Sequence, residues 1–344
     1  MPIEISLVIL NYNGAQWLDR CLESICCQTA VSRLEVIITD NGSTDGSREI
    51  CERYAPRLPA LRFINNGKNL WYCEANNIGA ADARSPLVLI LNNDLWLEPD
   101  CVEVLLKAAA ESPRTQLFSP RVLNYDDETL QGFGALGIDW FGVTAGTPDH
   151  SVPRELLSGY GCAFAIRKDY FFKIGAYPPE LLIYGDELDL GWRVWISGGH
   201  ILSTPLSKVH HRGAAVANPA GGSKHVELRT NEMKRFLSVR NGLLLLLKNC
   251  QHILLLMVIP HLLMLFCEAL FFLVTTRNWN FVRNSYIRGV GDAFRMLPHV
   301  REWRGKIKSF RQRGDFWMLR FMHLKPWRLM EAAQIFRLGL PRVK

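Results

Sequence analysis

The feature that most restricts the fold of this chain is a repeated pattern, in which a short apolar run ends in polar residues and helical spacing follows. The clearest run, residues 87–91, is followed directly by Asn92, Asn93 and Asp94. Such a run predicts a strand that is buried on both faces, as in a parallel sheet. The other runs of this kind occupy residues 3–10, 34–39 and 61–64. Strands that alternate with helices in this way predict a doubly wound α/β fold with a mostly parallel sheet.

Polar residues stand at the predicted carboxyl ends of the strands. Asn11 and Asn13 follow the first strand in a turn that lacks the GxGxxG pattern of dinucleotide-binding sheets, and Asp40 follows the second strand. Ligands of open α/β sheets bind outside these strand ends. Asp40 could accept a hydrogen bond from a nucleobase or a ribose, and Asn92 and Asp94 offer oxygen ligands that suit Mg²⁺ or Mn²⁺ carrying a diphosphate. Turns that simply close each strand are the alternative.

Further candidate ligands occur between the third and fourth strands. Lys68 could meet a phosphate, and Asn76 or Asn77 could bind from the helix that follows. A solvated loop and surface amides of a helix explain these residues equally well.

Three carboxylates lie within four positions, at Asp186, Glu187 and Asp189. Crowding them is costly unless a cation, a proton or solvent relieves the repulsion. The spacing of Leu188 and Trp192 predicts a helix that begins near Glu187, so Asp186 and Glu187 would face a cleft. A carboxylate there can act as a general base for a sugar hydroxyl. Acidic residues also favour the first turn of any helix, which is the alternative.

Paired histidines, His210 and His211, follow a strand predicted at residues 200–205. Such a pair can ligate a metal or bind phosphate. Pairs of this kind are more often surface or core residues.

The C-terminal third combines apolar and basic residues. Residues 277–344 carry 12 more Lys and Arg than Asp and Glu, and they directly follow the apolar region 243–274. Residues 253–275 would form a helix of about 35 Å, which is long enough to span a bilayer. Pro260, His261 and Glu268 argue against an ordinary span. We expect attachment to an anionic membrane surface, with a span, a buried hairpin or an oligomer interface as alternatives.

The remaining composition narrows the compartment and the class of partner. Nine cysteines without CxxC pairs favour a reducing compartment, and the N-terminus lacks the basic start of a secretory signal. The sequence contains no nucleic-acid-binding motif. We therefore expect a protein at the cytoplasmic face of the inner membrane, with no nucleic acid partner.

Several segments occur in the order found in family 2 glycosyltransferases, and they most resemble the bacterial rhamnosyltransferase branch. These segments are SLVILNYNG, TDNGSTDGS, NLWYCEANNIGAA, LILNNDLWLEPD, YGDELDLGWR, VHHRG and SVRNGLLLLLK. The resemblance covers about residues 3–250. It implies the GT-A fold, a nucleotide-diphosphate sugar donor, a divalent metal (Mg²⁺ or Mn²⁺) and inversion at the anomeric carbon. We expect a catalytic domain at residues 1–235 and a helical, membrane-associated region at residues 236–344.

The resemblance also implies roles for single residues. Asp40 resembles the carboxylate that binds the base and ribose, and Asp94 matches the last residue of the DxD metal motif, whose first acidic position is Asn92 here. The pair Asp186-Glu187 aligns with the family's Glu-Asp pair, which places Glu187 at the catalytic base and leaves Asp186 as a competitor. The remaining expected roles are donor binding by Asn11, Asn13, Lys68, Asn76, Asn92 and Asn93, metal binding by His210, and acceptor contacts by Gly161, Cys162, Asp189 and Trp192.

The expected function is transfer of a sugar, with L-rhamnose from dTDP-rhamnose as the leading candidate, to a lipid-linked or cell-surface glycan. An oligomer is possible. One rival is a sugar nucleotidyltransferase, which should carry a glycine-rich, basic phosphate loop that NYNGAQW lacks. The other rival is a lipid-binding scaffold with a decayed transferase domain, for which Asn92 and the altered Asp186-Glu187 order leave room.

Overall fold

The computed structural model describes residues 2–213, 229–325 and 342–343, and a nine-stranded sheet lies at its centre. The strands are β1 (Ile5–Asn11), β2 (Leu34–Asp40), β3 (Leu61–Asn65), β4 (Leu87–Asn92), β5 (Leu95–Leu97), β6 (Leu117–Asn124), β7 (Leu130–Gly132), β8 (Gly134–Asp139), β9 (Thr144–Gly146), β10 (Ser158–Gly159), β11 (Ala163–Arg167), β12 (Ile201–His211), β13 (Arg229–Thr230), β14 (Met322–His323) and β15 (Arg342–Val343). The main sheet has the order β3-β2-β1-β4-β11-β6-β12-β5, with β7 beside β6.

Helices cover both faces of this sheet and continue after its last strand. They are α1 (Ala15–Cys26), α2 (Ser47–Tyr54), α3 (Trp71–Asp82), α4 (Cys101–Glu111), α5 (Lys168–Lys173), α6 (Asp186–Ile196), α7 (Glu232–Asn249), α8 (Val258–Thr276), α9 (Trp279–Val282), α10 (Arg288–Arg295), α11 (Leu297–Phe310) and α12 (Asp315–Met318). Two apolar clusters fill the space between helices and sheet, one on each face. The predicted α/β fold with a mostly parallel sheet is confirmed.

The parallel strands β1, β2 and β4 bring their polar ends to one edge of the sheet. Asn11 pairs with Asp40 across β1 and β2, and Leu10 pairs with Asn92 across β1 and β4. Side chains of β1 and β2 are almost entirely buried because helices cover both faces, which is why these strands read as continuous apolar runs. The strand ends predicted to carry a ligand site therefore lie side by side.

Three regions differ from the local patterns of the sequence. Residues 95–97 form the short strand β5, which pairs antiparallel with β12, and the following helix begins at Cys101. Strand β12 extends through both histidines, and its pairing with β6 is irregular between Thr204 and Lys208. The glycine-rich stretch after β7 contributes β8, β9 and β10 to a second, four-stranded sheet.

The C-terminal helices pack directly against the sheet domain. Trp192 of α6, Leu244 of α7 and Trp303 of α11 belong to the same apolar cluster. One helical segment of the described residues, Leu254–Thr276, is long and apolar enough to cross a membrane by length and composition, and 22% of its most apolar window is buried in the protein.

Candidate active site

A chain of side-chain hydrogen bonds links the ends of β2, β1 and β4. Asn11 Nδ2 donates to Asp40 Oδ1 at 2.8 Å, and Asn11 Oδ1 accepts from Asn93 Nδ2 at 2.6 Å. Asn93 immediately precedes Asp94, the candidate metal ligand. The structure therefore joins the expected nucleoside end and the expected diphosphate end of a donor site through one buried amide.

The carboxylate of Asp40 is used by the protein itself. Its Oδ1 accepts from Asn11 Nδ2 and from the Ser43 hydroxyl (2.6 Å), and its Oδ2 accepts from the backbone N–H groups of Gly42 (3.1 Å) and Ser43 (2.8 Å). A carboxylate has about four lone-pair positions, so these bonds fill them. Asp40 is also only 2% exposed. Direct contact with a donor would therefore require one of these bonds to open, and the Ser43 hydroxyl is the partner that can rotate away.

The loop after β1 follows a backbone path that few residues adopt. Asn13 has a φ of 48°, its N–H donates to Ser43 Oγ, and its Oδ1 accepts from Thr44 N. Asn is one of the residues that tolerates this left-handed conformation. At Gly14, an added Cβ would lie 1.9 Å from Asn93 Nδ2, so only glycine allows Asn93 to reach Asn11.

Asp94 faces His211, whose ring orientation is set by Gln131. The Nε2 atom of His211 lies 3.3 Å from Asp94 Oδ1, and its Nδ1 lies 3.0 Å from Gln131 Oε1. Gln131 uses its amide nitrogen as a donor to the His211 carbonyl oxygen and to Asn124, so its Oε1 accepts from Nδ1–H. In the neutral ring, Nε2 would then direct a lone pair toward Asp94, which is the orientation of metal-binding histidines supported by a second hydrogen bond.

The electrostatics of this pair favour a positive charge between the two side chains. Burial opposes charge on His211, but Cys162 and Asp94 outweigh it and raise the pKa of His211 well above its usual value. Burial alone would raise the pKa of Asp94, whereas the charge and hydrogen bond of His211 lower it. A proton or a divalent cation can supply that charge. Asn92 Nδ2 lies 3.4 Å from His211 Nε2, so the amide also borders this point.

His210 occupies a different place from the one expected for a partner of Asp94. Its ring stacks on Trp96 with a centroid distance of 3.6 Å, its Nδ1 lies 3.1 Å from Asn124 O, and its Nε2 lies 3.0 Å from Glu98 Oε1. Consecutive residues of a strand point to opposite faces of the sheet, and both histidines belong to β12. His210, Glu98 and Glu128 form a separate group whose ligand atoms lie within 4.8 Å of one another and could hold a metal ion. We expected His210 to bind a metal together with Asp94. The structure instead places His211 beside Asp94.

The turn at Gly161 and Cys162 connects the Asp94 region to the carboxylates of α6. Asn92 N donates to Cys162 O at 2.9 Å, and an added Cβ at Gly161 would lie 3.6 Å from the carboxyl carbon of Glu187. Gly161 O also accepts from the Tyr72 hydroxyl at 2.6 Å, which fixes the turn. Neighbouring residues of one turn therefore contact the candidate metal region and the candidate base.

The two carboxylates at the start of α6 differ in exposure. Asp186 is buried, and burial together with Glu187 raises its pKa well above its usual value. Glu187 is half-buried beside Gly161, and burial raises its pKa as well. Gly185, with a φ of 75°, precedes α6 and allows the chain to turn into it. Of this pair, only Glu187 is partly exposed.

Other predicted site residues are buried in the core or lie on an exposed loop. Asp189 and Trp192 were expected on the acceptor side, but both are inside the core, and Asp189 pairs there with Arg193 and Lys248. Asn76 is buried and donates to Tyr72 O within its own helix. Lys68 is exposed on its loop and makes no hydrogen bond or ion pair with the part of the chain that the structure describes.

Sequence reasoning missed three residues of the site: His211 as the partner of Asp94, Gln131 as the support of His211, and Ser43 as the partner of Asp40. Ser43 lies three residues after Asp40 in a DNGS turn, a type of turn in which the Asp side chain often bonds nearby backbone groups, so this local signal could have found it. Gln131 lies in a stretch without clear periodicity, and no local signal marks it.

Part of the chain is similar in sequence to known glycosyltransferases. The model of the family "Glycosyl transferase family 2" matches residues 6–175. Polypeptide N-acetylgalactosaminyltransferase 6 of Mus musculus is 28% identical over 240 residues, which cover 61% of this chain and only 38% of that protein. N-acetylglucosaminyl-diphospho-decaprenol L-rhamnosyltransferase of Mycobacterium tuberculosis is 27% identical over 238 residues, which cover 61% of this chain and 76% of that protein.

Solved structures share the fold over most of the chain. The structure of S. aureus TarS 1–349 in complex with UDP-GlcNAc superimposes with a TM-score of 0.57 at 14% identity, and covers 90% of both chains. Mannosyltransferase PcManGT from Pyrobaculum calidifontis, in complex with GDP-Man and Mn²⁺, gives a TM-score of 0.53 at 16% identity, and covers 90% of this chain and 85% of that one. We conclude that residues 6–175, just under half of the chain, form a glycosyl transferase family 2 domain, and that the chain shares the GT-A fold with the solved structures.

Proposed function

We propose that this protein is a metal-dependent inverting glycosyltransferase that moves a sugar from a nucleotide-diphosphate donor to a hydroxyl group of a glycan. The observation that carries this proposal is the continuity of the site. Hydrogen bonds run from Asp40 through Asn11 to Asn93, and the turn at Gly161 and Cys162 links the adjacent Asp94 region to Glu187. A donor and an acceptor hydroxyl can therefore meet in one cleft.

Glu187 is the proposed catalytic base. Of Asp186 and Glu187, only Glu187 is partly exposed and can meet an acceptor. Burial raises the pKa of Glu187 toward the pH at which the enzyme works, and a general base is most effective when the two are close. In the proposed step, Glu187 accepts the proton of the acceptor hydroxyl while the oxygen of that hydroxyl forms a bond to the anomeric carbon. The bond from that carbon to the diphosphate breaks on the opposite face, which inverts the configuration.

Asp94 and His211, with the Asn92 amide beside them, fit a divalent cation. A carboxylate oxygen and an imidazole nitrogen converge, and Gln131 fixes the imidazole with Nε2 toward Asp94. A bound Mg²⁺ or Mn²⁺ would neutralise charge on the leaving diphosphate. Asn92 in place of a carboxylate lowers the charge of this ligand set, which favours a weakly held ion that arrives with the donor.

The substrates are proposed from similarity. One relative is named for transfer of L-rhamnose to a diphospho-decaprenol acceptor, and the solved neighbours hold UDP-GlcNAc or GDP-Man. We propose L-rhamnose from dTDP-rhamnose as the first donor to test and a lipid-linked glycan as the acceptor class. Such an acceptor agrees with a location at the cytoplasmic face of the cell membrane. The division into a catalytic domain at residues 1–235 and a membrane-associated region at 236–344 belongs to the same proposal.

The two rival functions lack a supporting feature. A nucleotidyltransferase needs a glycine-rich basic loop after its first strand, whereas residues 11–14 form an Asn-rich turn held by Ser43 and Thr44. A decayed scaffold would not need His211 oriented by Gln131 or a carboxylate at the cleft.

A donor screen tests the proposal. The full chain is incubated with a panel of nucleotide sugars and Mg²⁺ or Mn²⁺, and release of the nucleoside diphosphate is measured. We expect release from one donor class, loss of release in Asp94→Ala, and retention in Asp100→Ala, an exposed carboxylate near the same strand. Absence of release from every donor with and without a lipid-linked acceptor would refute the assignment.

A further inference from the structure

Helix α8 presents one face to the protein and the other to the surroundings. The inward face is defined by residues spaced four, three and four apart, namely His261, Leu265, Glu268 and Phe272. The outward face is defined by residues spaced four, three, four and four apart, which we call the outward stripe: Ile259, Leu263, Phe266, Leu270 and Val274. At about 100° per residue the two sets lie on opposite sides of the helix.

The two polar side chains on the inward face of α8 contact other elements of the protein. His261 Nδ1 donates to the carbonyl oxygen of Phe141, in the turn between β8 and β9, at 2.6 Å. Glu268 Oε2 lies 3.3 Å from Arg235 Nη1 of α7 and accepts from the Tyr286 hydroxyl, also at 3.3 Å. These contacts are separated by seven residues, or about 10 Å of helix, so α8 is held along its length rather than at one point.

The outward stripe is strongly apolar, and no part of the chain that the structure describes covers it. Its five side chains are 50–68% exposed, and no charged residue lies on this face between Leu256 and Val274. The stripe is about 22 Å long, which is far larger than the scattered apolar residues of an ordinary surface. A face of this kind needs an apolar environment.

The segment that follows α8 indicates which environment. Exposed cations and one exposed tryptophan follow the stripe directly, namely Arg277, Trp279, Arg283, Arg288 and Arg295. Between residues 277 and 301 the only carboxylate is Asp292, which pairs with Arg240 at 3.6 Å. Cations and tryptophan beside an apolar face match anionic headgroups over acyl chains.

We propose that α8 lies in the plane of an anionic membrane, with the outward stripe in the acyl boundary and the inward face still on the protein. A helix crossing the bilayer would have to leave the domain, because crossing would carry Glu268 away from Arg235 and into hydrocarbon. The chain is therefore attached to one leaflet. This inference concerns the partner surface and does not depend on which sugar is transferred.

Vesicle binding tests the stripe. The full chain is co-sedimented with phosphatidylcholine vesicles with and without phosphatidylglycerol. We expect binding that requires the anionic lipid, and a loss of about tenfold or more in Leu263→Gln/Phe266→Gln. Val152→Gln replaces an apolar residue of similar exposure (59%) outside α8 and should bind normally. Unchanged vesicle binding by the double variant would overturn the proposal. It would also be overturned if, without lipid, the wild type sedimented as a dimer and the double variant as a monomer, because the stripe would then be a contact between two copies.

Depth measurements separate an in-plane helix from a span. Single cysteines replace Ile259, Phe266 or Val274 in a chain whose accessible Cys26, Cys27 and Cys267 are changed to serine, and each is labelled with a fluorophore. Lipids brominated at set depths then quench the label. In-plane attachment predicts the same shallow depth at all three positions, whereas a greater depth at 266 than at 259 and 274 would show a span and overturn the proposal.

Discussion

The Nε2 atom of His211 lies 3.3 Å from the Oδ1 atom of Asp94. The preceding histidine faces the other side of the sheet, where it stacks on Trp96. The two side chains are adjacent and chemically identical, so substituting each in turn tests which histidine binds the proposed metal.

We expect His211→Ala to weaken Mn²⁺-dependent donor binding by tenfold or more, because second-sphere and ligand losses at metal sites typically cost about 10- to 100-fold. His210→Ala should leave that binding intact, although loss of the Trp96 stack should lower the melting temperature. Isothermal titration with the nucleoside diphosphate, with and without Mn²⁺, measures both variants. The opposite ranking would assign the donor-linked metal to the group of Glu98, Glu128 and His210.

Glu187→Gln should reduce turnover by about 10²- to 10⁴-fold, the usual contribution of a general base, while donor binding stays close to that of the wild type. Asp186→Asn should have the smaller effect because its carboxyl is buried, whereas that of Glu187 is partly exposed. Single-turnover rates and donor titrations distinguish the two steps. If Glu187→Gln keeps full activity and Asp186→Asn loses it, the base is Asp186.

The rate should fall as the solution becomes acidic. Because burial raises the pKa of Glu187, the base becomes protonated at a higher pH than a free glutamate. We expect kcat/KM to lose about a factor of ten per pH unit on its acid limb, with a midpoint above the ordinary glutamate value of about 4.3. A limb centred at or below that value would contradict the assignment.

Asp186→Asn should stabilise the fold increasingly as the pH rises. The folded pKa of Asp186 is raised, so the folded state keeps a proton that the unfolded chain releases above about pH 4. Between the pKa of Asp186 in the unfolded chain and its pKa in the folded protein, the free energy of unfolding therefore falls by roughly 1 kcal/mol for each rise of one pH unit. Thermal unfolding at pH 5 and pH 8 should show a larger gain for the variant at pH 8, and Asp100→Asn should show no such trend.

One buried carboxylate, Asp189, lies between two buried cations. Lys248 Nζ is 2.7 Å from its Oδ1, and Arg193 Nη2 is 3.0 Å from its Oδ2. The pKa values of both groups are lowered, but for different reasons. Burial would raise the pKa of Asp189, and the two cations outweigh it and lower that pKa. Burial lowers the pKa of Lys248 to about 8. Two positive charges share one negative charge, so the carboxylate is the indispensable member.

We expect Asp189→Asn to cost about 3–5 kcal/mol in the free energy of unfolding, as removal of one partner from a buried pair usually does. Lys248→Met should cost much less, because the Asp189–Arg193 pair remains, and it should recover part of the loss when combined with Asp189→Asn. Urea unfolding of the single and double variants measures this coupling. An equal cost for both single variants would contradict this account.

The parallel half of the sheet and the polar strand ends could be predicted from the sequence because each strand is buried on both faces and ends abruptly. Asn11, Asp40 and Asn93 meet for the reason expected, the adjacency of β1, β2 and β4. The short strand β5 could not be predicted, because a strand of three residues is too short to show a periodic pattern. Its partner, β12, is also antiparallel and distant in sequence.

The acceptor side was predicted less well, for physical reasons visible in α6. Leu188 and Trp192 are four residues apart and belong to the apolar face of the helix, which places Trp192 in the core. Asp189 lies on the same buried side of the helix. Its ion pairs with Arg193 and Lys248 explain how a carboxylate is accommodated in the core. Lys248 lies 59 residues further along the chain, so local patterns give no sign of it.

The irregular pairing of β12 has a consequence for evolution and design. Pro120 and Arg121 are consecutive on β6, but their partners Thr204 and Lys208 have three residues between them. Three is an odd number, so the alternation of side chains reverses across this bulge. Downstream of the bulge, the pairing of Lys208–His211 with β6 and of Val209–His211 with β5 places His211, and not His210, beside Asp94. The bulge lets the two halves of β12 keep separate registers with β6, so we expect a change of length at positions 205–207 to leave His211 where it is.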